Sequence, residues 1–485
     1  MQQTPLDIDL GKLNLKHPPL LNKEDHDKYV NDWRGQYKGQ AAAILKPINT
    51  EEVSSILSFA YENNIDVVPQ GGNTSLCGAA TPDESGRSII ISLEKMNNVR
   101  QFNKAAQTIT VESGMVLSKI HEIVEKDNLF FPLSLGAQGS CMIGGNLSTN
   151  AGGVNVLKYG NTRELCLGLE VVLPDGKIMN LLSELKKDNT GYDLKNIFIG
   201  AEGTLGIITA ATLKLFQLPK MISTLFVEAD EISNAIKLLN VFKSYFPDRI
   251  ESFELMPKIF WEVAKNNIEK IIMPLEKIPE MGVLIDISSY SKDDTFPNED
   301  GEIPIIKTIE NVLEECFDKS LISDATICKS ENQSKSLWSI REAAAESEKK
   351  ELEKSNLIKC LKHDISLPVE SINEFHNDAQ NMISNFLPEL KTIYFGHLGD
   401  GNLHYNIFGN GSLPDGFNGN SIELTNNLYE IVHKYNGSFS AEHGIGQLKK
   451  KNLKTHKNDV AYSLMKIIKS QLDPKGIMNP GKVLF

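Results

Sequence analysis

The sequence predicts an α+β fold, because helical and strand-like patterns alternate along its first half. Asn49 and Glu52 have the spacing of a capping box that opens a helix. The apolar residues of that helix recur with helical period and form one stripe: Val53, Ile56, Leu57 and Ala60. A short strand over 65–68 follows, and Pro174-Asp175-Gly176 later supplies a turn between two strand-like runs.

A β-hairpin is predicted where Asp400 and Gly401 interrupt two strand-like arms. If these two residues form the loop, His397 lies directly opposite His404. Directly opposed Cβ atoms lie about 4.5–5.5 Å apart, which suits two ligands of one metal ion. Asn406 falls on the same face because side chains alternate along a strand.

A third metal ligand is expected from Glu442, which precedes His443 in a glycine-rich stretch. Two imidazoles and one carboxylate are typical of catalytic zinc, and they also suit iron or manganese. The competing interpretation is that the histidine pair is a hydrogen-bonded structural feature without a metal.

The composition of the chain argues against some classes of function. It has 485 residues, of which 41% are hydrophobic, and a formal net charge of −13. This charge argues against nonspecific nucleic-acid binding, which needs clustered Lys and Arg. Six cysteines without framework spacing predict reduced thiols and a cytoplasmic location. The acidic N-terminus lacks a signal pattern, and no apolar run approaches the roughly 20 residues of a membrane helix.

Three glycine-rich segments occur before residue 210, at 69–78, 136–153 and 198–207. Glycine lets successive amides converge on an anion such as a pyrophosphate. None of the segments matches the Rossmann or P-loop pattern. The economical interpretation is a dinucleotide lying across a sheet, and the alternative is a metal-dependent hydrolase or nucleotide-binding module without redox chemistry.

The motifs together resemble one family. They are PQGGNTSLCGA, GAQGSCMIGGNLSTNAGG, NTGYDLKNIFIGAEGTLGIIT, HLGDGNLHYN, GSFSAEHGIG and NPGKVLF. They are similar to those of the FAD-linked D-2-hydroxy-acid dehydrogenases of the vanillyl-alcohol-oxidase fold, from about residue 40 to the end. The resemblance implies a two-part FAD-binding domain and an α+β substrate domain built on an antiparallel sheet.

The resemblance and the changes in residue composition along the chain predict three domains. Residues 1–218 are expected to bind FAD as two α+β subdomains. Residues 219–420 are expected to form the substrate domain, with the hairpin and a solvated helix over 349–354. Residues 421–485 are expected to be a C-terminal helical segment that closes the active site.

The family's cofactor and metal residues map onto this sequence by position. The FAD residues implied are Gly71, Gly72, Asn73, Thr74, Gly78, Gly144, Asn146, Thr149, Ala151, Gly152 and Ile207. Asn73 stands where covalent members often have histidine, so we expect non-covalent FAD. The metal ligands implied are His397, His404 and Glu442, with His443 as general base.

Arg341 lies on the apolar stripe of a predicted helix, where a buried guanidinium needs an anion. The alternative is an arginine at the helix edge with its charge in solvent. The resemblance implies that Arg341 and Lys362 bind the substrate carboxylates and that Asn406 orients the hydroxyl. Ala345 stands where close relatives have a hydroxyl residue, which removes one hydrogen bond to a substrate carboxylate.

The activity implied is oxidation of a D-2-hydroxy acid to a 2-oxo acid by hydride transfer to flavin N5. A dicarboxylate, D-2-hydroxyglutarate, is the expected substrate, since two cations and a metal exceed what one carboxylate requires. D-lactate, glycolate or an ether-lipid precursor is the alternative on the same scaffold. An electron-transfer flavoprotein is the implied acceptor, and a homodimer is compatible with the family.

Overall fold

A computed structural model of the chain describes residues 10–485, which form two compact units. The first unit contains residues 10–153 together with 159–217 and 442–485, and the second contains 154–158 and 218–441. The expected separate C-terminal domain is therefore divided: residues 421–441 join the second unit and 442–485 join the first. The acidic stretch over residues 1–9 lies outside the described residues.

The first unit contains three sheets. A parallel sheet has the order β1-β3-β2, an antiparallel sheet has the order β4-β5-β9-β7-β8, and β6 pairs with β10. The strands are β1 (Ala43–Leu45), β2 (Val67–Gln70), β3 (Ile89–Ser92), β4 (Val99–Asn103), β5 (Thr108–Glu112), β6 (Leu129–Phe130), β7 (Cys166–Val172), β8 (Ile178–Leu181), β9 (Ile207–Lys214) and β10 (Phe216–Gln217).

The helices of the first unit are short except for three. They are α1 (Asp27–Val30), α2 (Thr50–Asn63), α3 (Leu117–Glu125), α4 (Ile143–Thr149), α6 (Thr162–Leu165), α7 (Lys195–Phe198), α16 (Lys450–His456) and α17 (Asp459–Leu472), while α5 (Val156–Tyr159) lies at the boundary between the units. The predicted cap is confirmed, because the Asn49 side chain accepts a hydrogen bond from the Glu52 amide at 2.8 Å. The predicted apolar stripe of α2 is buried in the core of the parallel sheet.

The second unit is built on one antiparallel sheet with the order β14-β11-β13-β12-β16-β17-β15. Its strands are β11 (Met221–Ala229), β12 (Ile250–Pro257), β13 (Met281–Ser289), β14 (Asp324–Ile327), β15 (Leu357–Ser366), β16 (Lys391–His397) and β17 (Asn402–Asn410). Its helices are α8 (Ile232–Tyr245), α9 (Lys258–Asn267), α10 (Lys292–Thr295), α11 (Pro304–Asp318), α12 (Glu331–Glu342), α13 (Ala344–Lys354), α14 (Ile372–Phe386) and α15 (Ser421–Lys434).

Two separate apolar cores flank this sheet. The larger one packs α8, α11, α14 and α15 against one face, which is why residues 421–441 belong with the sheet. The smaller core packs α9, α12 and α13 against the other face. The side chains of the candidate site in this unit lie on that second face.

No helix among residues 10–485 is long and apolar enough to span a membrane.

Candidate active site

The first glycine-rich segment leaves β2 at a point where the backbone packs too closely for a side chain. A Cβ on Gly72 would lie 2.1 Å from the carbonyl oxygen of Ser140, so only glycine fits. Asn73 follows with a φ of 53°. In the described chain, no loop or turn hydrogen bond uses the amides of residues 71–74. Successive amides around a left-handed residue are an arrangement that binds anions.

The side chain of Asn73 is held by the N-terminal part of the chain. Its amide nitrogen donates to the carbonyl oxygen of Asn31 at 2.8 Å and to that of Lys28 at 3.3 Å. Gly78, at the end of the segment, has a φ of 70°. A Cβ on Gly78 would lie 2.8 Å from the ring of Tyr37. Both ends of this segment are therefore fixed by packing.

The second glycine-rich segment forms α4. A Cβ on Gly144 would meet the Cβ of Ser113 at 2.5 Å, whereas a Cβ on Gly145 would meet nothing within 4 Å. The side-chain oxygen of Asn146 is buried and has no hydrogen-bond partner among residues 10–485. An open glycine face beside an unsatisfied buried acceptor fits a polar ligand such as a flavin.

The remaining expected FAD residues lie in the same unit. The Thr149 hydroxyl donates to the Gly145 carbonyl oxygen at 3.2 Å, inside its own helix. Ala151 and Gly152 are buried directly after α4. Ile207 is 1% exposed, and its side chain belongs to the core of the parallel sheet. Contacts of these residues with FAD stay predictions.

The third glycine-rich segment holds another loop of the protein through Glu202, a residue that the sequence patterns did not single out. The carboxylate of Glu202 accepts hydrogen bonds from the amides of Ile445 at 2.7 Å and Gly446 at 2.8 Å. Its own carbonyl oxygen accepts from the Asn479 side chain at 2.8 Å. Burial raises the pKa of Glu202 to about 6. The segment thus anchors the loop that follows His443.

The predicted register of the hairpin is wrong. His397 pairs with Asn402 and His404 pairs with Phe395, because the connection is a four-residue turn over 398–401 and not two residues. The register moves by two positions in total, which preserves the face of each side chain. The rings of His397 and His404 accordingly share one face, with centroids 5.7 Å apart.

Glu254 on β12 joins two of the expected site residues. One of its oxygens contacts Nδ1 of His397, and the other accepts from Nε of Arg341 at 2.7 Å. Burial opposes its ionisation, but the charges of His397 and Arg341 outweigh burial and lower the pKa of Glu254 to about 2. A carboxylate on the second ring nitrogen is usual for a metal-bound histidine.

Arg341 on α12 is buried, as its place on the apolar stripe predicts. Its guanidinium carbon lies 4.8 Å from the centre of the Phe395 ring. Its Nη2 atom is buried and has no hydrogen-bond partner in the described part of the chain. A buried guanidinium nitrogen without a partner is costly, so it marks a position that suits an anionic ligand.

Asp364 on β15 lies beside His404. Its carboxylate is 3.9 Å from Nδ1 of His404, and it accepts from the Asn402 side chain at 2.9 Å. Asp364 is completely buried. It is a second carboxylate that the sequence patterns did not single out.

Glu348 on α13 contacts the two other expected substrate residues. Lys362 and Asn406 are directly opposite each other on β15 and β17. The Lys362 ammonium donates to one Glu348 oxygen at 2.8 Å, and the Asn406 side chain donates to the other at 2.6 Å. Glu348 is 2% exposed. The helix expected to be solvated over 349–354 exposes Lys349, Glu353 and Lys354, but Glu351 on the same helix is buried.

Glu442 and His443 follow Ala441, the last residue of the second unit. The amide of Ala441 donates to the carbonyl oxygen of Asp364. Two groups of ligand atoms lie within 4.8 Å of one another: His397, His404 and Glu442, and also Asp364, His404 and His443. The first group is the set that the resemblance implies.

Comparison with known families identifies the class of protein. Residues 41–182 match the FAD binding domain model, and residues 298–483 match the model for the C-terminal domain of FAD linked oxidases. Among solved structures, p-cresol methylhydroxylase superposes with a TM-score of 0.70 at 12% identity, covering 96% of this chain and 93% of that chain. The fold and these domains define an FAD-dependent oxidoreductase.

Sequence relatives identify the family within the FAD-dependent oxidoreductases. D-2-hydroxyglutarate dehydrogenase, mitochondrial, of Arabidopsis thaliana is 35% identical over 98% of this chain and 80% of its own length. The Danio rerio protein of the same name is 37% identical over 93% and 80%. A putative D-lactate dehydrogenase of Schizosaccharomyces pombe is 35% identical over 94% and 84%. The chain belongs to the FAD-linked D-2-hydroxy-acid dehydrogenases of the vanillyl-alcohol-oxidase fold.

The expected cytoplasmic location is wrong, because these relatives are named as mitochondrial proteins. Reduced cysteines indicate a reducing compartment, and this property does not separate the cytoplasm from other such compartments.

Proposed function

We propose that the chain oxidises D-2-hydroxyglutarate to 2-oxoglutarate. The observation that carries this proposal is the identity of 35% and 37% with proteins named D-2-hydroxyglutarate dehydrogenase over nearly the whole chain. FAD in the glycine-rich unit would accept the hydride from the carbinol carbon at flavin N5. The steps below concern what the chain's own residues do.

Arg341 binds the carboxylate next to the reacting carbon. Support comes from the buried Nη2 atom, which has no partner among residues 10–485, and from Glu254, which fixes the guanidinium through Nε. A charge-assisted hydrogen bond of this kind is worth roughly 1.5–3 kcal/mol. It holds the C–H bond in one orientation, which is the main contribution of a positioning residue.

His397, His404 and Glu442 hold a divalent cation, with zinc as the first choice. Support comes from the donor set, two imidazoles and one carboxylate, and from the short distances between the ligand atoms. A cation there would act as a Lewis acid on the substrate hydroxyl. His443 takes the hydroxyl proton, and Asn406 orients the hydroxyl group.

The second candidate function is oxidation of a monocarboxylate such as D-lactate. Arg341 and Lys362 are each paired with a buried carboxylate, Glu254 and Glu348. The surplus of positive charge that favoured a dicarboxylate is therefore smaller than the sequence suggests. An electron-transfer flavoprotein as acceptor and a homodimer stay predictions.

Anaerobic titration of the purified, FAD-loaded protein tests the proposal. D-2-hydroxyglutarate is expected to bleach the flavin absorbance faster than D-malate, D-lactate or glycolate. Bleaching by a monocarboxylate in preference would establish the second candidate, and no bleaching by any of the four acids would reject both. Acid precipitation of the same sample should release the flavin, since Asn73 offers no histidyl bond; flavin retained in the pellet would contradict non-covalent binding.

A further inference from the structure

The candidate substrate site contains a carboxylate of the protein where a substrate carboxylate is expected. Glu348 uses both of its oxygens, one for Lys362 at 2.8 Å and one for Asn406 at 2.6 Å. It is 2% exposed, whereas the Lys362 side chain is 29% exposed. A lysine and an amide that both donate to one buried carboxylate attract a second anion only weakly.

Each of the two cations expected to bind substrate is paired with a carboxylate of the protein. Glu254 pairs with Arg341 and Glu348 pairs with Lys362. The Nη2 atom of Arg341 has no hydrogen-bond partner among residues 10–485. It can therefore bind one substrate carboxylate. The Lys362 ammonium is in direct contact with Glu348, and a second substrate carboxylate must compete for it.

We propose that Glu348 is a specificity-determining residue that lowers the preference of the site for hydroxy acids with a second carboxylate. The inference rests on the proposed function, because it takes Lys362 and Asn406 as substrate-binding residues. Substrates whose far end is uncharged leave the contacts of Glu348 intact. A dicarboxylate has to displace Glu348 from Lys362 or accept its repulsion.

The chain offers a matched control on the same helix. Glu351 lies less than one turn further along α13 and is also buried. Its oxygens accept from Lys391 at 2.9 Å and from the Asn267 side chain at 2.8 Å. The Ser355 hydroxyl also donates to it at 3.0 Å. Glu351 has the same chemistry as Glu348, and none of its three partners is an expected substrate residue.

The experiment compares kcat/KM for D-2-hydroxyglutarate and D-lactate in the FAD-loaded enzyme with one artificial electron acceptor. Glu348→Gln frees Lys362, so the ratio of D-2-hydroxyglutarate to D-lactate should rise about tenfold, the gain expected of one charge-assisted hydrogen bond. Glu351→Gln should leave the ratio within about twofold of wild type. In a Lys362→Gln background, Glu348→Gln should no longer raise the ratio, since no lysine remains to be freed.

Flavin content and melting temperature of each variant are measured first. If Glu348→Gln loses flavin, Glu348→Ala takes its place, with a rise in the ratio again expected. If neither variant retains flavin, Glu348 is structural and the proposal is overturned. An unchanged ratio in an active Glu348→Gln enzyme, or the same rise in Glu351→Gln, also overturns it. A wild-type enzyme that oxidises neither acid rejects the proposed function instead.

Discussion

Glu254 is a single buried carboxylate that fixes a guanidinium and an imidazole at the same time. Removal of such a group leaves its partners with an unpaired charge in the protein interior, which typically costs 3–5 kcal/mol. The positions of Arg341 and His397 are therefore coupled through one side chain. This coupling gives the imidazole the fixed orientation that a metal ligand requires.

His404→Ala should abolish binding of the proposed divalent cation, because His404 belongs to both candidate groups of ligands. Loss of the Lewis acid is expected to remove several kcal/mol of transition-state stabilisation. This loss lowers kcat on the order of 10³-fold or more. Metal content per protein, measured by elemental analysis with FAD content in parallel, is the direct readout. The exposed His433→Ala is the control and should keep both. Full metal content in His404→Ala would contradict the assignment.

Residues near one another in the sequence were predictable, and those brought in from distant elements were not. The period-2 rule placed His397, His404 and Asn406 on one face, although the register was wrong. Glu254 and Glu348 reach the site from β12 and α13, and no local spacing indicates them. A mixed charged helix looks solvated in sequence, so the inward direction of Glu348 becomes visible only once α13 is packed on the sheet.

At the scale of single elements, β13 carries a carboxylate whose charge opposes folding. Asp286 accepts hydrogen bonds from the hydroxyl of Thr224 and, at 2.9 Å, from the indole of Trp338. Burial raises its pKa from 3.8 to about 7. Between pH 4 and pH 7 the folded state keeps a proton that the unfolded state has lost. Stability must therefore fall as pH rises through this window.

Asp286→Asn should remove this dependence. The amide can accept from the Trp338 indole and donate to Thr224, whose hydroxyl is able to rotate. The stability gained over wild type should be near zero at pH 4 and grow by roughly 1 kcal/mol per pH unit up to about pH 7. Urea unfolding at four pH values measures this difference. A difference that stays constant with pH would show that Asp286 is ionised throughout.

The sequence predicted the type of an element where a cap or a turn was explicit. It did not predict the residues at which the elements end. The helix predicted after Asn49 is observed and ends at Asn63 with a left-handed Asn64. The strand predicted over 65–68 is observed as Val67–Gln70, since its pairing with β3 sets its limits. The hairpin turn is longer than predicted, because the pairing of β16 and β17 already ends at His397 and Asn402.

At the scale of the whole molecule, the C-terminal residues complete the core of the first unit. The Val67 amide donates to the carbonyl oxygen of Ile477 at 2.8 Å, and the Asn479 amide donates to the carbonyl oxygen of Val67 at 2.7 Å. Ile477 and Met478 are buried in the same core as the α2 stripe. Asn479 also donates to the carbonyl oxygen of Glu202. The end of the chain and the third glycine-rich segment thus form one packed region.

Met478→Ala should destabilise the first unit by about 2–5 kcal/mol, the usual cost of truncating a buried methionine. FAD affinity should fall in parallel, because the core beneath β2 supports the first glycine-rich segment. Thermal unfolding followed by flavin fluorescence measures both effects. Leu464→Ala is the control, since Leu464 is 53% exposed on α17 and should cost less than about 0.5 kcal/mol. Equal effects of the two variants would contradict this role for Met478.

The split course of the first unit sets an order of events during protein synthesis. Residues 218–441 form nearly all of the second unit, so this unit has its full sequence while the last residues are still in the ribosome. The first unit lacks Ile477 and Met478 until these residues have been synthesised. A nascent chain should therefore acquire a folded antiparallel sheet before it can retain flavin, and a chain truncated before Ile477 should fold in part and stay colourless.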